Sequence, residues 1–371
     1  MIAIDTVLVK LASRCNLDCD YCYVYRMGDD AWRLQPKLMS ERTVEALGRN
    51  LSRLVEAQGR PLSLVFHGGE PLLVGATRFA AICAKLREHL PPPVGLHVQT
   101  NGVLLSDDVI RACARYDVGI SISLDGPSEI HDRHRPDRRG RKSHDAVVAG
   151  IGRVLAHPKG RSLLSGLLCV IDLEADPAGV YDFFKSTETP SVDFLYRDGN
   201  HDTLPVGKAS FLSTEYGDWM VRLLDVYLAD DEPIRIRLLD DMMRLILGGR
   251  SIKEGVGQDD YGILVVETDG TITKNDTLKS ADGADRFAER WSVHDDLAGF
   301  VASPLFQEYH RSQRPTAAVC LACPDLKICG GGMPTHRWSA AAGLDNPSVF
   351  CADQIRLIGH MREQIATRIA A

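Results

Sequence analysis

Cysteine is the residue type whose spacing carries the most chemical information in this chain of 371 residues. Seven of the ten cysteines fall into two groups, and the first group has C-x3-C-x2-C spacing. Three neighbouring thiolates suit a 4Fe–4S cluster, which needs four ligands, and they leave one iron open to chelate a small molecule. A zinc ion completed by a distant histidine is the alternative. The candidate ligands of this group are Cys15, Cys19 and Cys22.

The second group supplies four thiolates near the end of the chain. Its pattern is C-x2-C-x5-C, followed by one further cysteine after 21 residues. Four cysteines can close a cluster completely, although structural zinc sites also use C-x2-C pairs. The candidate ligands are Cys320, Cys323, Cys329 and Cys351.

Composition narrows the function classes. The net charge of −7 argues against a general nucleic-acid binder, and no apolar run approaches the roughly 20 residues of a membrane helix. The start of the chain has no signal-peptide pattern, which predicts a cytoplasmic protein with reduced thiols and favours metal ligation over disulfides. Three further cysteines stand alone in apolar segments and are predicted to be buried core thiols: Cys83, Cys113 and Cys169.

Alternating apolar runs and amphipathic stretches indicate the strands and helices that position the two cysteine groups. They predict an α/β fold in which six strand–helix units form a parallel, partial (β/α)6 barrel. The predicted strands are 7–10, 62–66, 96–99, 119–124, 163–171 and 193–196, and the predicted helices are 40–56, 77–90, from about 107, 144–155 and 177–186.

The rest of the chain has a different pattern. Two helices, 216–229 and 236–247, are predicted without an intervening strand, and a hairpin is predicted for 263–267 and 271–273 around Asp269-Gly270. We therefore predict a barrel domain at 1–210, a helical linker region at 211–260 and a loop-rich, cluster-binding domain at 261–371.

Chemically distinctive loops follow the first four predicted strands. In a barrel of parallel strands such loops gather at one face, where active sites form. Glycines at 68 and 69 allow close backbone approach to a ligand, and Glu70 offers a carboxylate to an ammonium group. Ser123 and Arg135 are suited to bind a carboxylate. These residues predict that an amino acid is held over the open iron.

The pattern resembles the radical S-adenosylmethionine (SAM) superfamily, with its C-x3-C-x-aromatic-C loop and Gly-Gly-Glu-Pro motif, over roughly residues 5–200. The resemblance implies that a 5′-deoxyadenosyl radical made from SAM removes a hydrogen atom from the substrate. It also implies SAM contacts: Tyr21 with the adenine, Gly68, Gly69 and Glu70 with the methionyl amine, Ser123 and Arg135 with the carboxylate or ribose, and His67 and Asp125 as further candidates.

The C-terminal segment resembles the SPASM extension of radical SAM peptide maturases. That extension usually carries seven cysteines and two auxiliary clusters. Here Asn275 and Met333 stand where cysteines are expected. The resemblance therefore implies a single auxiliary 4Fe–4S cluster, fully ligated by the second cysteine group, that carries electrons.

Segments 329–338, 345–351 and 194–202 resemble the maturases that build cyclophane crosslinks in peptides. In those enzymes a side-chain radical attacks an aromatic ring, and the adduct loses one electron and one proton. The candidate bases are Asp198, His201 and Asp202, with the shaping of a turn as the alternative. Thioether formation, epimerisation and formylglycine-type oxidation are alternative activities, and a zinc-binding scaffold without turnover is a distant one.

The resemblance also implies partners. The substrate is a ribosomally synthesised precursor peptide, and the reductant is a flavodoxin or ferredoxin. Only 14 residues precede Cys15, so a separate protein or a barrel surface is expected to recognise the leader peptide. The basic segment 133–142 is interpreted as a solvated loop in which Arg135 turns inward, with docking of an acidic leader or a nucleic acid as the alternative. No nucleic-acid or membrane partner is expected.

Overall fold

The computed structural model describes residues 3–251, 253–281 and 284–370. The chain forms two compact units, and each is assembled from separated segments. The first comprises the chain up to Leu124 together with His131–Leu167 and Gly262–Tyr309. The second comprises Asp125–Ile130, Leu168–Tyr261 and the chain from His310 onward. The domain boundaries near residues 210 and 260 stay predictions.

Ten strands occur in the described part of the chain. They are β1 (Ile4–Ala12), β2 (Ser63–Gly68), β3 (Gly95–Thr100), β4 (Val118–Ser123), β5 (Leu164–Val170), β6 (Ser191–Leu195), β7 (Arg235–Ile236), β8 (Gly262–Val266), β9 (Thr271–Thr273) and β10 (Trp291–Ser292).

The same ranges contain sixteen α-helical segments, several of a single turn. They are α1 (Tyr23–Arg26), α2 (Glu41–Gln58), α3 (Ala76–His89), α4 (Asp107–Tyr116), α5 (Ser128–His134), α6 (His144–Ala156), α7 (Gly160–Leu163), α8 (Pro177–Ser186), α9 (Glu215–Ala229), α10 (Arg237–Ile246), α11 (Leu297–Ala302), α12 (Pro304–Ser312), α13 (Ala318–Leu321), α14 (Leu326–Cys329), α15 (Pro334–Arg337) and α16 (Cys351–Ala370). Three 3₁₀ segments add Ala31–Arg33, Pro71–Val74 and Asp276–Ser280.

The sheet of the first unit has the strand order β10-β9-β8-β1-β2-β3-β4, followed by the start of β5. The strands β8, β1, β2, β3 and β4 pair in parallel. Beyond β8, the strands β9 and β10 add an antiparallel edge. In the second unit the end of β5 pairs with β6, and β6 pairs in parallel with β7. The predicted α/β fold with parallel strands is confirmed.

The register of the central strands explains the core. Val9 lies opposite Phe66 on β2, and Phe66 lies opposite Val98 on β3. These side chains are fully buried, and Ile120 on β4 continues the same layer. The isolated thiols are also buried, as predicted: Cys83, Cys113 and Cys169.

Local sequence sets the ends of the major helices. Ser40 Oγ accepts the Thr43 N–H at 3.1 Å and begins α2, which ends at Gly59 with a φ of 67°. Asp176 caps α8 by accepting the Gly179 N–H at 3.1 Å, and Pro177 fills the first helical position.

One element of the prediction is wrong. The helices α9 and α10 were predicted to follow each other without a strand, but β7 lies between them and pairs with β6. A strand of two residues is too short to produce a detectable alternation of apolar side chains. The two-residue β10 was missed for the same reason. Among the helices described, none has the length and apolar character needed to span a membrane.

Candidate functional site

The first cysteine group lies in the loop between β1 and α1. All three thiols are half-buried. The N–H of Leu17 donates to Cys15 Sγ at 3.4 Å, and Asn101 Nδ2 lies 3.7 Å from the same sulfur. Arg138 Nε donates to the carbonyl of Cys15 at 2.6 Å. Side chains from two other segments therefore hold the start of this loop.

Cys19 lies near enough to both Cys15 and Cys22 for its charge to affect their ionisation. Burial raises the pKa of Cys15 to about 12, and the negative charge of Glu70 adds to this effect. Cys19 and Cys22 raise it further. Burial, followed by the charge of Cys19, raises the pKa of Cys22 to about 11. A bound metal reverses this effect by stabilising thiolates, so the donor set fits a cluster with three cysteine ligands.

The loop after β2 runs so close to the start of the cysteine loop that two positions require glycine. Gly68 has a φ of 132°, and a Cβ there would lie 2.2 Å from the carbonyl oxygen of Ala12. A Cβ on Gly69 would lie 2.1 Å from Tyr25 Oη and 2.3 Å from the carbonyl oxygen of Arg14. At both positions, the space that a Cβ would occupy is already filled by the chain that leads into and through the cysteine loop.

Glu70 connects the loops that follow β2 and β3. Its side chain is fully buried. Oε1 accepts the Leu72 N–H at 3.0 Å and the Thr100 hydroxyl at 2.8 Å, while Oε2 accepts the Asn101 N–H at 2.8 Å. Burial raises the pKa of Glu70, and these hydrogen bonds oppose the rise. Because a carboxylate oxygen can accept two hydrogen bonds, Oε2 retains one acceptor position for an ammonium group.

Two of the predicted cofactor contacts lie side by side. Arg135 is buried, and its Nη1 donates to Tyr21 Oη at 2.6 Å. The Tyr21 ring lies 6.2 Å from the ring of His134. An aromatic ring from the cysteine loop and a guanidinium are thereby brought together. They are suited to contact a nucleoside and an acidic group.

Two further predicted contacts, Ser123 and Asp125, have separate surroundings. Ser123 ends β4, and its Oγ accepts a hydrogen bond from Gln99 Nε2 at 2.9 Å. Asp125 belongs to the second unit, where its Oδ1 accepts the Val170 N–H at 3.1 Å. This bond gives Asp125 a structural role at the end of β5.

A buried group of five charged side chains lies in the first unit, and sequence reasoning missed it. We call it the Lys10 network. Lys10 Nζ lies 3.0 Å from Glu267 Oε1 and 2.5 Å from Asp276 Oδ1. Lys279 Nζ lies 3.1 Å from Glu267 Oε1 and 3.0 Å from Asp285 Oδ2. Charges removed from water need such mutual pairing.

His67 lies beside this network, opposite Lys10 in the register of β1 and β2. Burial lowers its pKa, and the carboxylate of Asp276 opposes the effect. Its Nδ1 is buried and has no hydrogen-bond partner among the described residues. The lowered pKa favours the neutral imidazole, and the contact of His67 with a cofactor stays a prediction.

The second cysteine group lies within the second unit. Burial raises the pKa of Cys329 to about 12, and Cys351, Cys320 and Cys323 add to the rise. Burial also raises the pKa of Cys351, again with contributions from Cys320 and Cys323. Cys320 and Cys323 thus affect the ionisation of both Cys329 and Cys351. Their number and their thiol chemistry suit a cluster with four cysteine ligands.

Asn275, which stands where a further cysteine was expected, is engaged in local structure. Its Oδ1 accepts the Thr277 N–H at 3.0 Å and begins the 3₁₀ segment Asp276–Ser280. Across residues 3–251, 253–281 and 284–370, no group of three or more His, Cys, Asp or Glu side chains is arranged to hold a metal ion. The seven cysteine ligands remain predictions that rest on donor type and mutual proximity.

Two of the three candidate bases make structural hydrogen bonds. His201 Nε2 lies 2.8 Å from the carbonyl oxygen of Pro347, to which it must donate. Asp202 Oδ2 accepts the Ala340 N–H at 2.7 Å. Both residues thereby fasten segment 198–202 to the segment between the last two cysteines. These bonds favour the turn-shaping alternative for His201 and Asp202.

Asp198 has a different environment. Its Oδ1 lies 3.6 Å from His336 Nε2, and the two side chains are 20% and 9% exposed. The His336 ring also packs edge-on against Phe350 at 4.8 Å. The sequence offered no sign of this pair, because the two residues lie on separate segments. A carboxylate beside a shielded imidazole is a common arrangement for proton transfer.

Comparison with known proteins gives a consistent result. Residues 9–169 match the model of the Radical SAM superfamily. A serine-type anaerobic sulfatase-maturating enzyme from Klebsiella aerogenes is 31% identical over 339 residues, which cover 89% of this chain and 80% of that enzyme. A cysteine-type anaerobic sulfatase-maturating enzyme from Clostridium perfringens is 25% identical over 341 residues, covering 88% of each.

Among solved structures, native anSMEcpe with bound AdoMet and Cp18Cys peptide matches with a TM-score of 0.81. The match covers 98% of both chains at 21% sequence identity. At this identity the likeness shows that the two proteins share a fold.

Proposed function

This chain belongs to the radical SAM superfamily and is homologous to the anaerobic sulfatase-maturating enzymes, and from this premise we propose that it forms a cyclophane-type crosslink within a ribosomally made peptide. The coarser activity, radical SAM modification of a peptide or protein, is that of its relatives. The crosslink is the finer part of the proposal.

The observation that carries the proposal is the presence of two separate groups of mutually interacting thiols, one of three and one of four. When bound, SAM and a 4Fe–4S cluster with one open iron supply the 5′-deoxyadenosyl radical, and a closed 4Fe–4S cluster supplies an electron acceptor. In this proposal Cys15, Cys19 and Cys22 hold the first cluster. The second group holds the other one.

The surrounding residues orient the cofactor and control access to it. The acceptor position left on Glu70 Oε2 suits the methionyl ammonium, and Gly68 and Gly69 bring backbone groups near it. Tyr21 and Arg135 are placed as a pair for the nucleoside and the carboxylate. These assignments come from the family pattern, and the hydrogen bonds of the side chains support them.

Asp198 and His336 are our candidates for the proton acceptor. A crosslink breaks two C–H bonds and forms one bond between the two residues. One hydrogen would leave as an atom to the 5′-deoxyadenosyl radical and the other as a proton, and a closed cluster held by the second cysteine group would supply the acceptor for the remaining electron. Asp198 suits this proton because its carboxylate is only partly shielded and the imidazole of His336 lies beside it.

Formylglycine-type oxidation is the second candidate, because the relatives from Klebsiella aerogenes and Clostridium perfringens are named as sulfatase-maturating enzymes. It also removes two electrons from a side chain and needs the same groups. The absence of cysteine at 275 and 333 is our reason to place the crosslink first, since the SPASM pattern of two auxiliary clusters is incomplete here.

The experiment is anaerobic co-expression of the full chain with the small peptide encoded beside its gene, followed by mass spectrometry. A crosslink lowers the peptide mass by two hydrogens, and fragmentation then fails between the joined residues. A hydrazide probe separates the candidates, because it reacts with the aldehyde of formylglycine and not with a crosslink.

The matched control is the variant with Cys15, Cys19 and Cys22 all changed to Ala, which should release no 5′-deoxyadenosine from SAM with dithionite as reductant. Cleavage of SAM by this variant would overturn the proposal. Zinc in place of iron, together with no SAM cleavage by the unaltered chain, would instead support a scaffold. A flavodoxin or ferredoxin as the physiological reductant, and a separate leader-recognition protein, belong to the same proposal.

A further inference from the structure

Arg337 is a fully buried cation at the end of α15. Its exposed fraction is 0%. Nη1 donates to the carbonyl of Arg314 at 3.1 Å, and Nη2 donates to the carbonyl of Gln313. Nε is buried and has no hydrogen-bond partner among the described residues. The Nε–H is thus a buried donor for which the described residues supply no acceptor.

The charge of Arg337 is uncompensated as well. No carboxylate in the described part of the chain forms an ion pair with it. Two carbonyl oxygens satisfy hydrogen bonds but carry no net charge, and a buried charge without an anion is strongly unfavourable. An anion is therefore expected to face this side chain in the assembled protein.

The second cysteine group supplies that anion. Burial lowers the pKa of Arg337 to about 10, and the negative charges of Cys320 and Cys329 oppose the fall. An arginine guanidinium stays protonated in proteins, and this one lies between Cys329 and Cys351 in the chain, with its bonds to the carbonyls of residues 313 and 314 tying it to the segment that leads into Cys320. When ionised as metal ligands, these thiols would supply negative charge to balance Arg337.

We infer that Arg337 is a positioning residue for the auxiliary cluster: its buried charge balances the four-thiolate cluster and raises the reduction potential of that cluster. The inference rests on the proposed function, since it requires iron at the second cysteine group. It adds the element that sets how readily this cluster takes the electron released by the substrate.

The physical reason is electrostatic. Uptake of one electron makes a four-thiolate cluster more negative by one charge. A fixed positive charge stabilises the reduced state more than the oxidised state, and a surrounding of low polarity strengthens the effect. Hydrogen bonds to cluster sulfur shift the potential in the same direction, and the Nε–H is a donor that remains available.

A purely structural role makes a different prediction. The two bonds to the carbonyls of Gln313 and Arg314 tie α15 to the segment that precedes the second cysteine group. If that were the whole role, loss of Arg337 would lower stability or iron content. The potential of the clusters that still form would not move.

The experiment uses the full-length chain in which Cys15, Cys19 and Cys22 are Ala, so that only the second cluster contributes. The protein is reconstituted anaerobically with iron and sulfide, and its midpoint potential is measured by redox titration followed by electron paramagnetic resonance. Arg337→Gln removes the charge, and Arg337→Lys keeps it. Arg356→Gln is the matched control, because Arg356 is partly exposed and pairs with Asp218 in the same unit.

We expect a lower midpoint potential for Arg337→Gln, a potential close to the parent for Arg337→Lys, and no change for Arg356→Gln. Incomplete iron loading does not hide this result, because a midpoint potential does not depend on the fraction of protein loaded. Loading of the Lys variant together with failure of the Gln variant would also support the need for charge.

An Arg337→Gln potential equal to that of the parent would overturn the inference, as would failure of both variants to bind iron. Failure of the proposed function is distinguished at an earlier step. In that case the parent itself holds zinc or no metal at the second cysteine group before any change at Arg337.

Discussion

Lys10 on β1 and Glu267, which directly follows β8, form an ion pair of 3.0 Å in the interior of the first unit although 257 residues separate them in the chain. Both side chains are buried. The pair joins the strand that leads into the first cysteine group to the strand that returns much later. We therefore expect the Lys10 network to contribute to the free energy of unfolding.

Replacement of Lys10 by Met should destabilise the protein by about 3–5 kcal/mol, because it removes the ion-pair partner of the buried Asp276 carboxylate and leaves Glu267 with Lys279 alone. The measurement is the free energy of unfolding in urea under anaerobic, reducing conditions. Arg250→Met is the control, since Arg250 pairs with Asp259 at the surface and should change little. Equal effects of the two substitutions would contradict the prediction.

Acid should weaken the same network. Burial alone would raise the pKa of Asp276, but the ammonium groups of Lys10 and Lys279 outweigh burial and hold the pKa below its ordinary value of 3.8. Such a carboxyl contributes stability that is complete above its unfolded pKa and is lost as the pH falls through the lower folded-state pKa. We expect the free energy of unfolding to fall below about pH 4. Asp276→Asn should reduce the pH dependence of the free energy of unfolding. An unchanged dependence in this variant would contradict the role assigned to Asp276.

Glu70→Gln should weaken both the loop and SAM binding. The amide nitrogen must face a backbone donor, either the Leu72 N–H or the Asn101 N–H, and each unsatisfied buried group costs about 1–3 kcal/mol. We expect a lower unfolding temperature and at least a roughly tenfold loss of SAM affinity in equilibrium dialysis. Glu45→Gln, which alters a surface carboxylate paired with His89, should change neither quantity. Unaltered SAM affinity in Glu70→Gln would remove Glu70 from the cofactor site.

Gly69→Ala should prevent correct packing of the loop after β2, since its Cβ would lie 2.1 Å from Tyr25 Oη and 2.3 Å from Arg14 O. The expected result is low iron content after anaerobic reconstitution and a lower unfolding temperature. Gly152→Ala is the control on α6, where a Cβ meets nothing within 4 Å. That change should stabilise the helix by about 0.5–1 kcal/mol. Full iron loading of Gly69→Ala would show that the loop after β2 can move to accommodate the methyl group, and it would contradict the prediction.

Asp198→Asn should separate hydrogen-atom removal from product formation. We expect 5′-deoxyadenosine to form while modified peptide falls by about 10²- to 10⁴-fold, the usual effect of losing a general base. Asp218→Asn is a suitable control, because that carboxylate pairs with Arg356 at the surface. Normal product yield from Asp198→Asn would eliminate Asp198 as the proton acceptor.

Much of the fold could be predicted because its determinants are local. Ser40 begins α2 and Asp176-Pro177 begins α8 where capping chemistry places them. Alternation of apolar residues located β2 and β3 to within a few residues. The parallel pairing of β8 with β1 could not be predicted, because nothing in the sequence near residue 262 indicates which distant strand it joins.

The candidate site was likewise predictable only where its determinants are local in the sequence. The two cysteine groups were visible because ligand spacing is written in the sequence. The pairing of Asp198 with His336 was not visible, since it depends on how two remote segments meet. The burial of Arg337 ran against the usual exposure of arginine, and only the packing around α15 reveals it.

The late return of the chain to β1 also limits how the protein can be shortened. Because β8 lies on one side of β1 and β2 on the other, any fragment that stops before residue 262 leaves the backbone donors and acceptors of Ile4–Val9 open along one side. Such an apolar, unpaired border attracts other copies of itself. A truncated N-terminal piece should therefore precipitate rather than serve as a minimal enzyme.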